Sequence, residues 1–373
     1  MKKTEIYVAT IIDSYNYGTV LQAVATRGVL DKFGDTKFVD YRRAYWTNAE
    51  LVKRCIRRTS NPIKGMLSAA SQMSNRIISH RIFRPFVERH LPLCPSGNFE
   101  NGGDFSKDAI YCVGSDQTWN YECNEGIDPV FFLKNVPDEC IKISYAASFG
   151  RSELLEEEKA EVAGLLQRFT AISLREPSGV KVLESMGITG GVVIHDPVLL
   201  CGRNMFERLA EQARQNNGKP YVLVYQLNKG QTLLAYADKL AKTAGCNVVK
   251  ISLDWKERLP EGWRKELFPS VERWVSLFRD ASYVVTDSFH GTCFSLLFHK
   301  SLGVFDPPKY SVRLHDVLRD FDMMRRLLSA YDGEPPLLSS MEEVDWDVVD
   351  NQFVQYQEYA YGWLQEVLSS DGR

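Results

Sequence analysis

Short apolar runs, each closed by turn residues, alternate along this 373-residue chain with longer stretches of helical period. That alternation restricts the fold more than any other feature. Residues 6–12, 37–41, 110–113, 141–146, the run AISLR at 171–175 and residues 192–194 read as strands, with helices over 19–32 and 153–169. A second series follows: strand 221–225, helix 231–244, strand 247–251, helix 271–279, strand 283–286, helix 292–299 and strand 302–305. Strands that alternate with helices lie parallel, with the helices covering both faces of the sheet. The polar stretch CGRNMFERLAEQARQNNGKP at 201–220 divides the two series. The expected class is α/β, with two doubly wound, Rossmann-like domains facing a cleft. Residues 1–200 form the first domain, with a basic helical excursion at about 50–90; residues 201–335 form the second, and 336–373 a C-terminal helical segment. Ligands of such folds bind beyond the carboxyl ends of the strands.

Composition narrows the function classes. At 44% hydrophobic and 25% charged residues the chain has the profile of a globular protein with a substantial core. A formal net charge of −3 gives no general attraction to nucleic acid. The eight cysteines are scattered, with no CxxC pair and no metal-finger spacing. Cys112 and Cys123 could pair, but several of the eight lie in apolar runs, where buried free thiols are the commoner outcome. A reduced, cytoplasmic protein without a bound metal is expected. Lys2 and Lys3 precede an apolar run, but Thr4 and Glu5 interrupt the approach and Asp13 ends it, so a first strand is expected rather than a secretory leader. No window approaches the roughly 18 apolar residues of a membrane span.

One region departs from the rest. Residues 51–87 contain no Asp or Glu, while Lys53, Arg54, Arg57, Arg58, Lys64, Arg76, Arg81 and Arg84 alternate with apolar side chains such as Ile56, Ile63, Met66, Leu67 and Ile77. A solvated helical excursion accounts for this. So does docking on an anionic membrane surface, at the inner face of a membrane, or on an anionic substrate.

Four constellations each follow an expected strand. In SYNYGTVLQAVA at 14–25, Asn16 and Gly18 form a turn and Thr19 can cap a helix, leaving backbone N–H groups for an anion or a sugar hydroxyl. In VGSDQTWN at 113–120, Asp116, Gln117 and Asn120 suit sugar hydroxyls and the Trp119 indole suits a sugar face. In SLREPSGVKVL at 173–183, Arg175 stands beside a helix start marked by Pro177 and Ser178, a receptor for phosphate or carboxylate. In VTDSFHGTCFSLLFHK at 285–300, His290 falls between a strand and a helix, flanked by Asp287 and Ser288, either of which can orient the imidazole. The helix N-terminus favours its neutral form unless Asp287 offsets this. Lys309 and Arg313, after a later strand, bring positive charge toward the same cleft, whereas His299 at the expected helix end is expected to take no part. HExxH, GxxxxGK[ST], GxSxG and GxGxxG are all absent.

Taken in order, YNYGTVLQAVAT, GSDQTWN, SYAASFG at 144–150, SLREPSG, DPVLL at 196–200 and DASYVVTDSFHGTCFSLLFHKSL resemble the polysaccharide pyruvyl transferase family, over residues from about 6 to about 330. The resemblance implies a glycosyltransferase-B-like pair of domains and transfer of a pyruvyl group from phosphoenolpyruvate, as co-substrate and with no other cofactor, to two hydroxyls of a sugar in a cell-surface polysaccharide or its lipid-linked precursor. It implies His290 and Arg175 as catalytic groups, with Arg175, Lys309, Arg313, Ser178 and Ser288 on the donor. Asn16, Tyr17, Gly18, Asp116, Gln117, Trp119 and Asn120 would hold the acceptor. The chain carries Ser288-Phe289-His290 where many members carry Arg-Leu-His, so the donor charge supplied by that arginine must come from Lys309 or Arg313, or the donor differs. The competing readings are a nucleotide-sugar-dependent glycosyltransferase on the same scaffold and a non-catalytic carbohydrate-binding protein.

Overall fold

Every ladder among the described strands is parallel. The computed structural model describes residues 3–43, 48–57, 62–214, 218–308 and 311–368. The first sheet has seven strands, β1 (Glu5–Ala9), β2 (Asp35–Val39), β3 (Leu93–Cys94), β4 (Ile110–Val113), β5 (Ile141–Ala147), β6 (Ala171–Leu174) and β7 (Val192–Val193), in the order β3-β2-β1-β4-β5-β6-β7. The second has five, β8 (Tyr221–Tyr225), β9 (Asn247–Ser252), β10 (Arg264–Leu267), β11 (Tyr283–Thr286) and β12 (Ser301–Val304), in the order β10-β9-β8-β11-β12. The α/β, doubly wound, two-sheet class read from the sequence is the one observed. The strand order reverses between β1 and β4 in one sheet and between β8 and β11 in the other, and such reversals open a crevice at the strands' carboxyl ends.

The apolar runs form these strands because helices cover both faces: all of β4 and all of β8 are buried. Two strands have no apolar run to reveal them. β10, with the sequence RKEL, is a charged edge strand that pairs only with β9 among the described strands, and β3 is two residues long. The polar stretch taken as a divider contains the helix Arg203–Glu211, whose Phe206, Leu209 and Ala210 are buried.

The chain divides into two compact units, Met1–Cys201 together with Tyr356–Arg373, and Gly202–Gln355. The helix Trp346–Leu368 gives residues to both. Within the first unit, helix α1 (Tyr17–Leu30) follows β1, and the basic excursion folds as two helices, α2 (Asn48–Arg57) and α3 (Pro62–His90), packed on each other. None of the eight cysteines, all among the described residues, is in a disulfide.

Candidate functional site

At the reversal point of the first sheet, the Asn16 side chain caps α1 by accepting from the Gly18 amide at 2.9 Å, so the helix starts at Tyr17. Tyr17 is buried, its ring 4.8 Å from that of Phe83. One turn on, the Thr19 hydroxyl donates to Asp116 Oδ2 at 2.8 Å. Asp116 takes a left-handed backbone, φ +77°, at the end of β4. Its other oxygen lies 3.7 Å from the Arg175 guanidinium, which is also 2.9 Å from Asp196 and 3.5 Å from Glu176. Glu176 in turn accepts from the Ser148 hydroxyl, and Asp196 caps the turn Pro197–Leu200 through the Val198 amide. Five of the six stretches that carry the family resemblance therefore meet in one buried polar network.

This network changes the reading of Arg175. Burial disfavours its charge, but the carboxylates of Glu176, Asp196 and Asp116 more than offset that cost and raise its pKa. Three carboxylates already face this arginine, which is 4% exposed. Ser178, in the first turn of the helix Pro177–Ser185, and Ser115, at the end of β4, bury hydroxyls that make no hydrogen bond among the described residues.

Trp119 is corrected outright. Its indole N–H donates to the Phe131 carbonyl at 2.8 Å, and Phe132, Phe149 and Phe169 pack around its ring at 5.3–5.9 Å, leaving it 3% exposed. No face is left for a sugar. Asn120 donates to Gln117 Oε1 at 2.6 Å and accepts from the Cys123 amide at 3.1 Å. Gly150, at φ +68°, lies so close to that pair that a Cβ there would strike both side chains.

Residues that sequence reasoning missed lie next to this loop. A cavity of about 330 Å³ opens beyond β1 and β2, lined by Asp13, Tyr15, Asp40, Arg42, Arg43, Arg76, His80 and Arg84 among others. Arg43 pairs with Asp13 at 2.7 Å and reaches Asn124 at 3.0 Å; Arg84 grips Asp40 with two bonds of 2.6 and 2.8 Å. Four guanidinium groups against two carboxylates leave the cavity positive. The available signal was Arg42-Arg43 directly after a strand.

The second unit holds the histidine. Thr286 donates to the Tyr225 carbonyl at 2.6 Å and accepts from the Ser288 amide at 3.0 Å, which fixes the turn after β11. Ser288 then caps the helix Phe289–Leu297 by accepting from Gly291 N at 3.2 Å, starting it three residues earlier than its apolar period suggests. His290 sits in the first turn, 6% exposed. Asp287 is not its orienting partner: its carboxylate accepts from Leu227 N, Asn228 N and Asn228 Nδ2 at 2.7–3.0 Å, tying β11 to the loop after β8. A cavity of about 370 Å³ opens beside that loop, lined by Gln226, Asn228, Lys229, Asp287, Phe305 and Asp306 among others. The Arg313 guanidinium lies 5.5 Å from the ring of Phe289, the residue before His290 in the chain, while Lys309 lies outside the described residues. His299 is not idle. Its Nε2 is 2.8 Å from Asp350, its ring stacks 4.8 Å from Trp346, and it contacts Arg203.

Comparison with known proteins adds the following. A family model described as polysaccharide pyruvyl transferase matches residues 16–307. No curated protein matches the chain. Among solved structures, UDP-GlcNAc 2-epimerase from Neisseria meningitidis bound to UDP-GlcNAc aligns with 10% identity and a TM-score of 0.46, over 98% of this chain and 99% of that one. Anabaena HepE in complex with UDP and glucose aligns with 9% identity and a TM-score of 0.47, over 97% of this chain and 100% of that one.

Proposed function

The chain belongs to the polysaccharide pyruvyl transferase family, and from that premise we propose that it transfers a pyruvyl group from phosphoenolpyruvate to two hydroxyls of a saccharide, forming a cyclic ketal. The observation that carries this reading is the placement of His290, within the matched span, on a helix N-terminus where the second sheet reverses. A proton delivered to the methylene carbon of phosphoenolpyruvate turns it into a methyl group and leaves an oxocarbenium-like C2. One sugar hydroxyl adds there; the C2–O bond to phosphate breaks, and the second hydroxyl closes the ring. The two hydroxyl protons balance the one placed on carbon and the one carried off by phosphate. His290 is assigned the proton transfer. Arg313, Lys309, Ser288 and the helix N-terminus are assigned the donor's negative charge, which replaces the arginine missing before His290.

The acceptor is a sugar of a cell-surface polysaccharide or its lipid-linked precursor. It is assigned to the loops at the reversal of the first sheet, through Gln117, Asn120 and the α1 N-terminus at Asn16 and Gly18, with the positive cavity beyond β1 and β2 beside them. Arg175 is reassigned as a positioning residue that holds Asp116 and Asp196.

The test uses the full chain with phosphoenolpyruvate and candidate saccharides, following phosphate release and the mass of the saccharide. Phosphate release coupled to gain of one pyruvyl ketal is expected. A donor at 100 times its dissociation constant adds about 2.7 kcal/mol of stability. Stabilisation by UDP-sugars with none by phosphoenolpyruvate would reassign the protein as a nucleotide-sugar glycosyltransferase. Ligand binding without turnover of any acceptor would leave a carbohydrate-binding protein.

A further inference from the structure

Helix α3 is 29 residues long and turns one stripe outward: positions 63, 67, 70, 74, 77 and 81 fall on a single face at helical spacing. That outward stripe is not the polar one. Ile63 is 70% exposed, Leu67 68% and their neighbour Met66 61%, while Ile77 further along and Ile56 near the end of α2 are exposed as well. The opposite side of α3, through Ala69, Phe83, Phe86 and Val87, is buried. The hairpin therefore has its core contact already, and the apolar cluster at its end is additional to it. Contiguous large aliphatic side chains exposed to this degree mark a binding surface.

Charge identifies the occupant. Arg57 and Lys64 are exposed beside this cluster, Arg81 is exposed one turn past Ile77 on the same stripe, and residues 51–87 hold eight basic and no acidic side chains in a chain whose net charge is −3. Part of that charge is matched by acids from outside the segment. Lys53 pairs with Glu50 at 2.6 Å, Arg54 lies 3.7 Å from Glu125, and Arg84 is held by Asp40 and Glu88. A second copy of the chain is a poor partner, because a symmetric pairing sets this basic surface against its own image. Among the described residues no helix is long and apolar enough to cross a membrane, so any bilayer contact made by them through helices is peripheral. We propose that the end of the α2–α3 hairpin, through Ile56, Ile63, Met66, Leu67 and the basic residues around them, docks the protein on an anionic lipid bilayer surface. The aliphatic side chains enter the headgroup boundary, and the basic side chains lie against the anionic headgroups.

The test is co-sedimentation of the full chain with vesicles of phosphatidylglycerol in phosphatidylcholine, compared with phosphatidylcholine alone. Binding to the anionic vesicles is expected, with a loss of roughly ten-fold or more in the Ile63→Glu/Met66→Glu/Leu67→Glu variant. The charge-reversed Arg57→Glu/Lys64→Glu/Arg81→Glu variant carries the same expectation and stands in should the first variant fail to fold. Wild-type chain that ignores anionic vesicles, binds both compositions equally, or binds undiminished in the folded variants overturns the proposal. So does a dimer in sedimentation velocity that the first variant dissolves while vesicle binding is absent, since the cluster would then be an interface between copies. The measurement requires no turnover, so its failure is separate from failure of the pyruvyl-transfer reading.

Discussion

The Thr19 hydroxyl donates to Asp116 Oδ2 across 97 residues of sequence, at 2.8 Å and out of solvent. It joins the first turn of α1 to the loop after β4, where the first sheet reverses. Thr19→Val keeps the shape and removes the donor, so the variant should lose about 1 kcal/mol in chemical denaturation, while Thr19→Ser stays near wild type. Equal stability of Thr19→Val and wild type would show that the bond does not hold the loop.

Arg175→Met should cost far more. It leaves Asp116, Glu176 and Asp196 buried without their cation, and breaking such a cluster costs about 3–5 kcal/mol. Adding Glu176→Gln should recover part of the loss. A variant with unchanged melting temperature and weakened phosphoenolpyruvate binding would restore Arg175 to the donor site.

Asp40 predicts an acid-side dependence. Two hydrogen bonds from Arg84 outweigh desolvation and hold its carboxyl below the ordinary value of 3.8. A carboxyl depressed in the folded state contributes stability above its unfolded pKa and loses it as pH falls through the folded value. The stability gap between wild type and Asp40→Asn should therefore be full above about pH 5 and close progressively below 3.8. Denaturation curves collected from pH 7 down to pH 3 measure it. A gap that persists unchanged at pH 3 contradicts the assignment.

The two histidines of the SFHG helix region should separate cleanly. His290→Gln is expected to lower turnover by about 10²–10⁴ while donor affinity and melting temperature stay close to wild type. His299→Gln should do the reverse. It gives up the pair with Asp350 and the stack on Trp346, for a loss of about 1 kcal/mol in stability with turnover preserved. Turnover assays and melting curves on both variants decide it, and the opposite pattern would move the proton transfer to His299.

The alternation of strands and helices was legible because parallel strands buried on both faces leave an unmistakable apolar run. Strands β4, β8 and β11 fall on the very residues the runs mark. β10 left no run because an edge strand needs none. The four loops stood out as candidate sites for the same reason, since a polar set directly after a strand falls where ligands of such folds bind. What the sequence could not show was which polar side chains look outward. Trp119 and Arg175 have the chemistry of ligand-binding groups, yet one is taken up by phenylalanines and the other by carboxylates, most of them brought in from 12 to 59 residues away. Asp287 was expected to serve the adjacent histidine and instead serves the backbone of Leu227 and Asn228. The positive cavity went unseen because its walls combine two strand ends with a helix some forty residues further on.

The division of the chain has a consequence for its synthesis. The first unit takes in residues from Tyr356 onward, where the Tyr356 ring stacks 3.7 Å from His195, Tyr361 meets Phe33, and Ala360 and Leu364 are fully buried. A ribosome delivers that stretch only after the whole of Gly202–Gln355. The nascent first sheet must therefore wait, with the groove for those residues uncovered, while a second sheet is translated. The order in which the units mature need not follow the order in which they are made.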